Sequence, residues 1–102
     1  SLASVVPSSI RLVSQNNIPL NYIDRIYLLI SADGLPELEI AYLEPVPGTA
    51  GSFFDMLPSI SEVKDYLNAP NFDLRFEYYI RYNPTGFVPI RLELFFQGYE
   101  NL

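Results

Sequence analysis

At 102 residues the chain has room for one domain, and 49% hydrophobic against 18% charged residues is the composition of a core-forming protein, not of a disordered segment. A net charge of −6 with six dispersed Lys and Arg excludes a nucleic-acid surface, which selects for clustered cations, and disfavours an anionic membrane face. The lack of Cys and His excludes disulfides, thiolate nucleophiles, zinc–cysteine sites and His-dependent acid–base chemistry.

The chain opens on Ser1 with neither a basic start nor an apolar leader, as a mature form with its targeting segment removed would. Ile10 and Leu12 alternate with Arg11 and Val13, which predicts a first strand over Ser9–Ser14 that ends at Asn16-Asn17. Ile26 to Ile30 is the longest apolar run; it has strand length, far short of the roughly 18 residues needed to span a bilayer. A hairpin follows. A turn over Ser31–Leu35, with Gly34 as a bulge, pairs Ile30, Leu28 and Ile26 with Pro36, Leu38 and Ile40. The competing two-residue Asp33-Gly34 turn sets Ile30 and Leu28 against Glu37 and Glu39, so the longer loop is preferred.

Glu44 to Ser52 holds Pro45, Pro47, Gly48 and Gly51, which is loop composition. Ser59-Ile60-Ser61-Glu62 then resembles a capping box, and Ile60, Val63, Tyr66 and Leu67 recur at helical spacing until Asn68 and Pro70. This predicts one short helix near 60–68.

The strongest periodicity comes last. Phe72, Leu74, Phe76, Tyr78, Ile80 and Tyr82 alternate with Asp73, Arg75, Glu77, Tyr79 and Arg81. The pattern returns as Val88, Ile90, Leu92, Leu94 and Phe96 against Pro89, Arg91, Glu93, Phe95 and Gln97. With Asn83-Pro84-Thr85-Gly86 as the turn, Ile80, Tyr78 and Phe76 fall opposite Ile90, Leu92 and Leu94 in a closing hairpin. The expected fold is therefore all-β: a small antiparallel β-sandwich of about five to seven strands over residues 1–102, with a partly open β-barrel as the alternative.

Little chemistry remains open to such a chain. Glu37 and Glu39 share one strand face, and Glu77 and Glu93 fall opposite each other in the expected hairpin, but outer strand faces are normally charged and solvated. There is no D-x-D-x-D-G calcium loop and no phosphate-binding glycine pattern, so neither metal nor cofactor is expected and the domain is read as non-enzymatic. The aromatics carry the functional reading. Most of the 15 Tyr and Phe fit inward positions, whereas Tyr27, Tyr79, Phe95 and Tyr99 point outward, where exposed rings build protein interfaces or stack on sugars.

Val63-Lys64-Asp65-Tyr66-Leu67 followed by Phe72-Asp73-Leu74-Arg75-Phe76 resembles small immunoglobulin-like β-sandwich domains of secreted lipoproteins from Bacteroides-type bacteria. In those, a short helix ending in D-Y-L leads into an alternating strand and a closing hairpin; the likeness runs from about Tyr22 to Tyr99. It implies an extracytoplasmic domain of a lipid-anchored parent, at the cell surface or in the periplasm, with no functional residues to carry over. The expected role is a structural or interaction domain that contacts a protein partner, or a second copy, through an exposed sheet face or edge. A glycan held by Tyr27, Tyr79 and Tyr99 is the alternative, and a virion or secretion component the third reading.

Overall fold

The computed structural model describes residues 2–101. In chain order these form β1 (Leu2–Ser14), a 3₁₀ turn (Leu20–Tyr22), β2 (Ile23–Ala32), β3 (Leu35–Leu43), β4 (Phe53–Pro58), α1 (Lys64–Leu67), β5 (Asp73–Ile80) and β6 (Ile90–Glu100). The strands make one antiparallel sheet in the order β5-β2-β3-β4-β1-β6. The sheet curls over a single core. β1 and β2 have two strands between them in the ladder, yet Leu12 and Ile26 wall the same cavity, and Ile10, Leu28, Ile30 and Ile40 share one fully buried cluster. The curl stops short of closure, because β5 and β6 end the ladder without pairing.

The all-β antiparallel class, the strand number and the short helix agree with the sequence. The partnership of the last two strands does not. β5 pairs with β2, setting Leu74, Phe76 and Tyr78 against Ile30, Leu28 and Ile26. β6 pairs with β1, setting Leu92 and Leu94 against Leu12 and Ile10. Alternation assigns each residue to the inner or outer face, and it does so correctly here, but any apolar strand of the same period satisfies it equally. The decision lies in the connection between them. Arg81 N–H donates to the Tyr22 carbonyl (2.7 Å), while its guanidinium donates to the carbonyls of Asn21 (3.0 Å), Ile23 (2.7 Å) and Val46. Gln15 N–H donates to the Pro89 carbonyl (2.9 Å), so the segment 81–89 leaves β5 tied to the head of β2 and delivers β6 to the end of β1.

The β2–β3 hairpin forms, but on the two-residue turn. Ala32 faces Leu35, and Gly34 takes the left-handed conformation (φ 77°) that glycine adopts without a Cβ penalty. Two irregularities restore the apolar match that this turn was expected to ruin. β3 carries an extra residue on each occasion, so Ile30 meets Leu38, Leu28 meets Ala41 and Ile26 meets Leu43. The same device operates in β1, which starts at Leu2 and not at Ser9. A bulge between Pro7 and Ser9 keeps Val5, Pro7, Ile10 and Leu12 all buried.

β4 was not foreseen. Phe54 and Met56 point inward beneath Phe53, Asp55 and Leu57, pairing with Leu12 and Ile10 of β1, and Leu57 continues the ladder to Tyr42 of β3. This strand joins the two halves of the sheet. The helix is also shorter than 60–68, and the capping box is absent. Ser59 and Ser61 hydroxyls donate to the side chain and carbonyl of Glu39, and Ile60 projects fully into solvent. Glu62 does the capping: one oxygen accepts from Lys64 N–H (2.7 Å) and the other from Val5 N–H (2.6 Å). Val63 and Tyr66 then enter the core, with the Tyr66 hydroxyl donating to the Pro36 carbonyl (2.6 Å).

Candidate interaction surface

A strand at the end of an unclosed ladder has one row of free backbone N–H and C=O groups, and its inward side chains lack a neighbour on that flank. Both consequences are visible on β5. Tyr78 and Ile80 lie on the inner face with buried Ile26 and Ile23, yet are 55% and 44% exposed. On β6, Leu92, Leu94 and Phe96 pack against the core but stay half-exposed, and Ile90 is more open still. Between the two edges is a cavity of about 150 Å³. Its floor is Leu12, Ile23 and Ile26; Phe76 and Tyr78 wall it from β5, Val88 and Ile90 from the β6 side. The result is an apolar seam bounded by two unpaired strand edges.

The four outward aromatics fall into two separate pairs. Tyr27 and Tyr79 are diagonal neighbours on the outer face of β2 and β5, since Arg25 is opposite Tyr79 and Tyr27 opposite Glu77. With Arg25, Leu29, Glu39 and Glu77 they line a shallow depression. The Arg25 guanidinium covers one face of Tyr79 at 4.1 Å, and the Tyr79 hydroxyl donates to Glu77 (3.1 Å). The Tyr27 hydroxyl donates to the Glu44 carboxylate; this bond, then burial, pushes its pKa up to about 12. Phe95 and Tyr99 are on the outer face of β6, against Ser9 and Ser4 of β1, and are 62% and 54% exposed. Tyr79 lies beside the connection into β6 whereas Tyr99 lies at the far end of β6, and Tyr99 is not among the residues that line the depression at Tyr27 and Tyr79.

The same topology separates Glu77 from Glu93, which the expected hairpin placed face to face. Glu77 is beside Arg75 and Tyr79, and Glu93 pairs with Arg91 (3.0 Å). Glu37 accepts from Arg75 at 2.6 and 3.1 Å, which holds its pKa below the usual carboxylate value. Among the described residues no group of three Asp or Glu is placed to hold a metal ion, and no helix is long and apolar enough to cross a membrane.

Sequence reasoning missed the exposed residues that matter most. Tyr78 and Ile80 carry the correct inward periodicity, and only the absent neighbour exposes them. Phe53, which stacks under Arg11 at 4.4 Å, follows directly on loop composition. Its alternation with Phe54 and Met56 was the available signal. Comparison with known proteins finds no family model, no curated protein and no solved structure that matches this chain.

Proposed function

We propose that this is a non-enzymatic interaction domain that holds another polypeptide along an unpaired edge of its sheet. The observation that carries the reading is that both terminal strands are free on one side while presenting apolar side chains. Folded proteins usually blunt such edges with charges, prolines or a covering loop, and an uncovered one is a template for strand addition. On β5 the inner row Leu74, Phe76, Tyr78 and Ile80 contains no charge; the charges of the two edges, Asp73, Arg75 and Glu77 on β5 and Arg91 and Glu93 on β6, lie on the outer face, and Pro89 lies before the paired part of β6.

A photocrosslinking side chain introduced at Tyr78 or Phe95, in the cells that produce the protein, tests this. An adduct with another polypeptide at either position supports the reading; Ile60, exposed but on neither edge, serves as the control. No adduct at either edge, or equal adducts at Ile60, would defeat it.

The likeness to Bacteroides-type lipoprotein domains adds an extracytoplasmic location on a lipid-anchored parent. Mass spectrometry of the native N-terminus decides that point: a lipid-modified cysteine upstream of Ser1 supports it, and an unprocessed methionine start removes it.

A glycan-binding reading has one supporting observation, the shared outer face of Tyr27 and Tyr79 with two carboxylates and an arginine around them. Arg25 already covers one face of Tyr79, which leaves less ring for a sugar. Tyrosine fluorescence should change on adding a polysaccharide if this is right, and silence across a broad panel would sink it.

A further inference from the structure

We infer that the occupant of the seam between β5 and β6 is an extended segment of a different polypeptide, apolar at every second residue and basic at one end. This rests on the interaction reading above and deepens it.

The backbone sets the conformation. Six strands that alternate in direction leave β5 and β6 antiparallel to each other across the opening. Both present free N–H and C=O groups towards it, and only an extended chain offers donors and acceptors at the matching spacing. The side chains set the alternation. Near the start of β6 the floor of the seam is apolar at Leu12, Ile23 and Ile26 and its walls at Tyr78 and Ile90, so inward residues of the occupant meet carbon there; towards the far end of β6 they meet Val5, Leu67 and Phe96, with Lys64 and Asn68 at the rim. Outward residues meet water.

Charge sets the polarity and disfavours a second copy. Asp33 is in the turn after β2, Asp65 on α1, Asp73 at the head of β5 and Glu100 at the foot of β6, all at one end of the sheet. Among the described residues none of these four is in an ion pair. Four of the six cations, Arg11, Arg75, Arg81 and Arg91, are paired with acids; Arg25 covers Tyr79 and Lys64 donates to the Leu2 carbonyl. A second copy therefore brings net charge −6 to an acidic end, whereas a lysine-bearing segment finds its complement there.

The test uses two fluorescein-labelled peptides of alternating valine and threonine, one with lysines at its N-terminus and one with them at its C-terminus. A segment antiparallel to β6 puts its N-terminus at the acidic end; one antiparallel to β5 puts its C-terminus there. Saturable anisotropy change with either peptide is expected. Alternate backbone N-methylation, or scrambling that breaks the alternation, should weaken it by about tenfold or more. Added salt should weaken the lysine peptides more than a neutral one. Tyr78→Asp and Ile90→Asp should each reduce binding, with circular dichroism confirming the fold; the N-methyl comparison needs no variant. Absence of binding by both peptides, or indifference to N-methylation and alternation, overturns the inference. So does a homodimer in sedimentation that Tyr78→Asp dissociates, which would make the occupant a second copy. If photocrosslinks arise at Phe95 but not at Tyr78, the interaction reading stands and the seam is not its site.

Discussion

Individual residues of this protein are governed by the partners the fold supplies, and two of them make titratable predictions. Tyr27 gives its proton to a hydrogen bond with Glu44, so the folded state holds that proton more tightly than the unfolded chain does. The stabilisation is complete below the ordinary tyrosine pKa near 10 and is lost as pH rises through the folded value of about 12. Ultraviolet titration should therefore show Tyr27 ionising late, beside Tyr22, which burial also raises, and Glu44→Gln should lower Tyr27 without moving Tyr22. Asp55 is the opposite case. Two hydrogen bonds from Arg11 (2.8 and 3.1 Å) lower its pKa, so its contribution is present above the usual carboxylate value and is lost as pH falls through the depressed one. Carbon-detected NMR should find Asp55 titrating below a normal aspartate, and Arg11→Gln should remove the displacement. Both side chains of that pair are well exposed, so the effect on stability is small.

At the level of elements, the lesson is that bulges reconcile turns with faces. Alternation sorted Leu74, Phe76, Tyr78, Leu92 and Leu94 correctly onto the inner face, because a period of two depends only on the chain's own geometry. The β2–β3 register was misread because an unbroken ladder was assumed, and two extra residues in β3 make the shorter Asp33-Gly34 turn compatible with an apolar match. β4 escaped notice because its six residues follow directly on loop composition and end in Pro58, although its inward Phe54 and Met56 join the halves of the sheet. Met56 is 3% exposed, so Met56→Ala should destabilise the domain by about 2–5 kcal/mol in a denaturant melt. A cost near zero would mean that β4 is not the hinge of the curl. The short helix shows the same principle in reverse: a Ser-x-x-Glu pattern was present, but Glu62 was drawn instead to the free Val5 N–H of a distant strand.

For the molecule as a whole, the decisive feature is a sheet that curls around one core without closing. The prediction at this scale is a contrast between two inner-face residues only one strand apart. Leu28 on β2 is fully buried, so Leu28→Ala should cost about 2–5 kcal/mol. Tyr78 on β5 is more than half exposed, so Tyr78→Ala should cost about 1 kcal/mol or less and act on binding instead. Equal destabilisation by the two would mean that the seam is closed in solution. Amide exchange gives an independent reading: the N–H groups of β5 and β6 that face the seam should exchange faster than those facing β2 and β1, and a bound segment should protect them.

Several properties were legible in the residues alone: the all-β class, the strand faces, the location of the short helix and the outward aim of Tyr27, Tyr79, Phe95 and Tyr99. Each follows from local geometry, which a periodic sequence carries in itself. The partners of β5 and β6 were not legible, because β1, β2, β5 and β6 all present the same apolar alternation and any pair of them satisfies it. Tertiary structure broke that degeneracy through long-range ties such as Arg81 to the carbonyls of Ile23 and Val46, and Gln15 to Pro89. By sending β5 and β6 to opposite edges, those ties turned residues that the pattern marks for burial into an open, apolar surface.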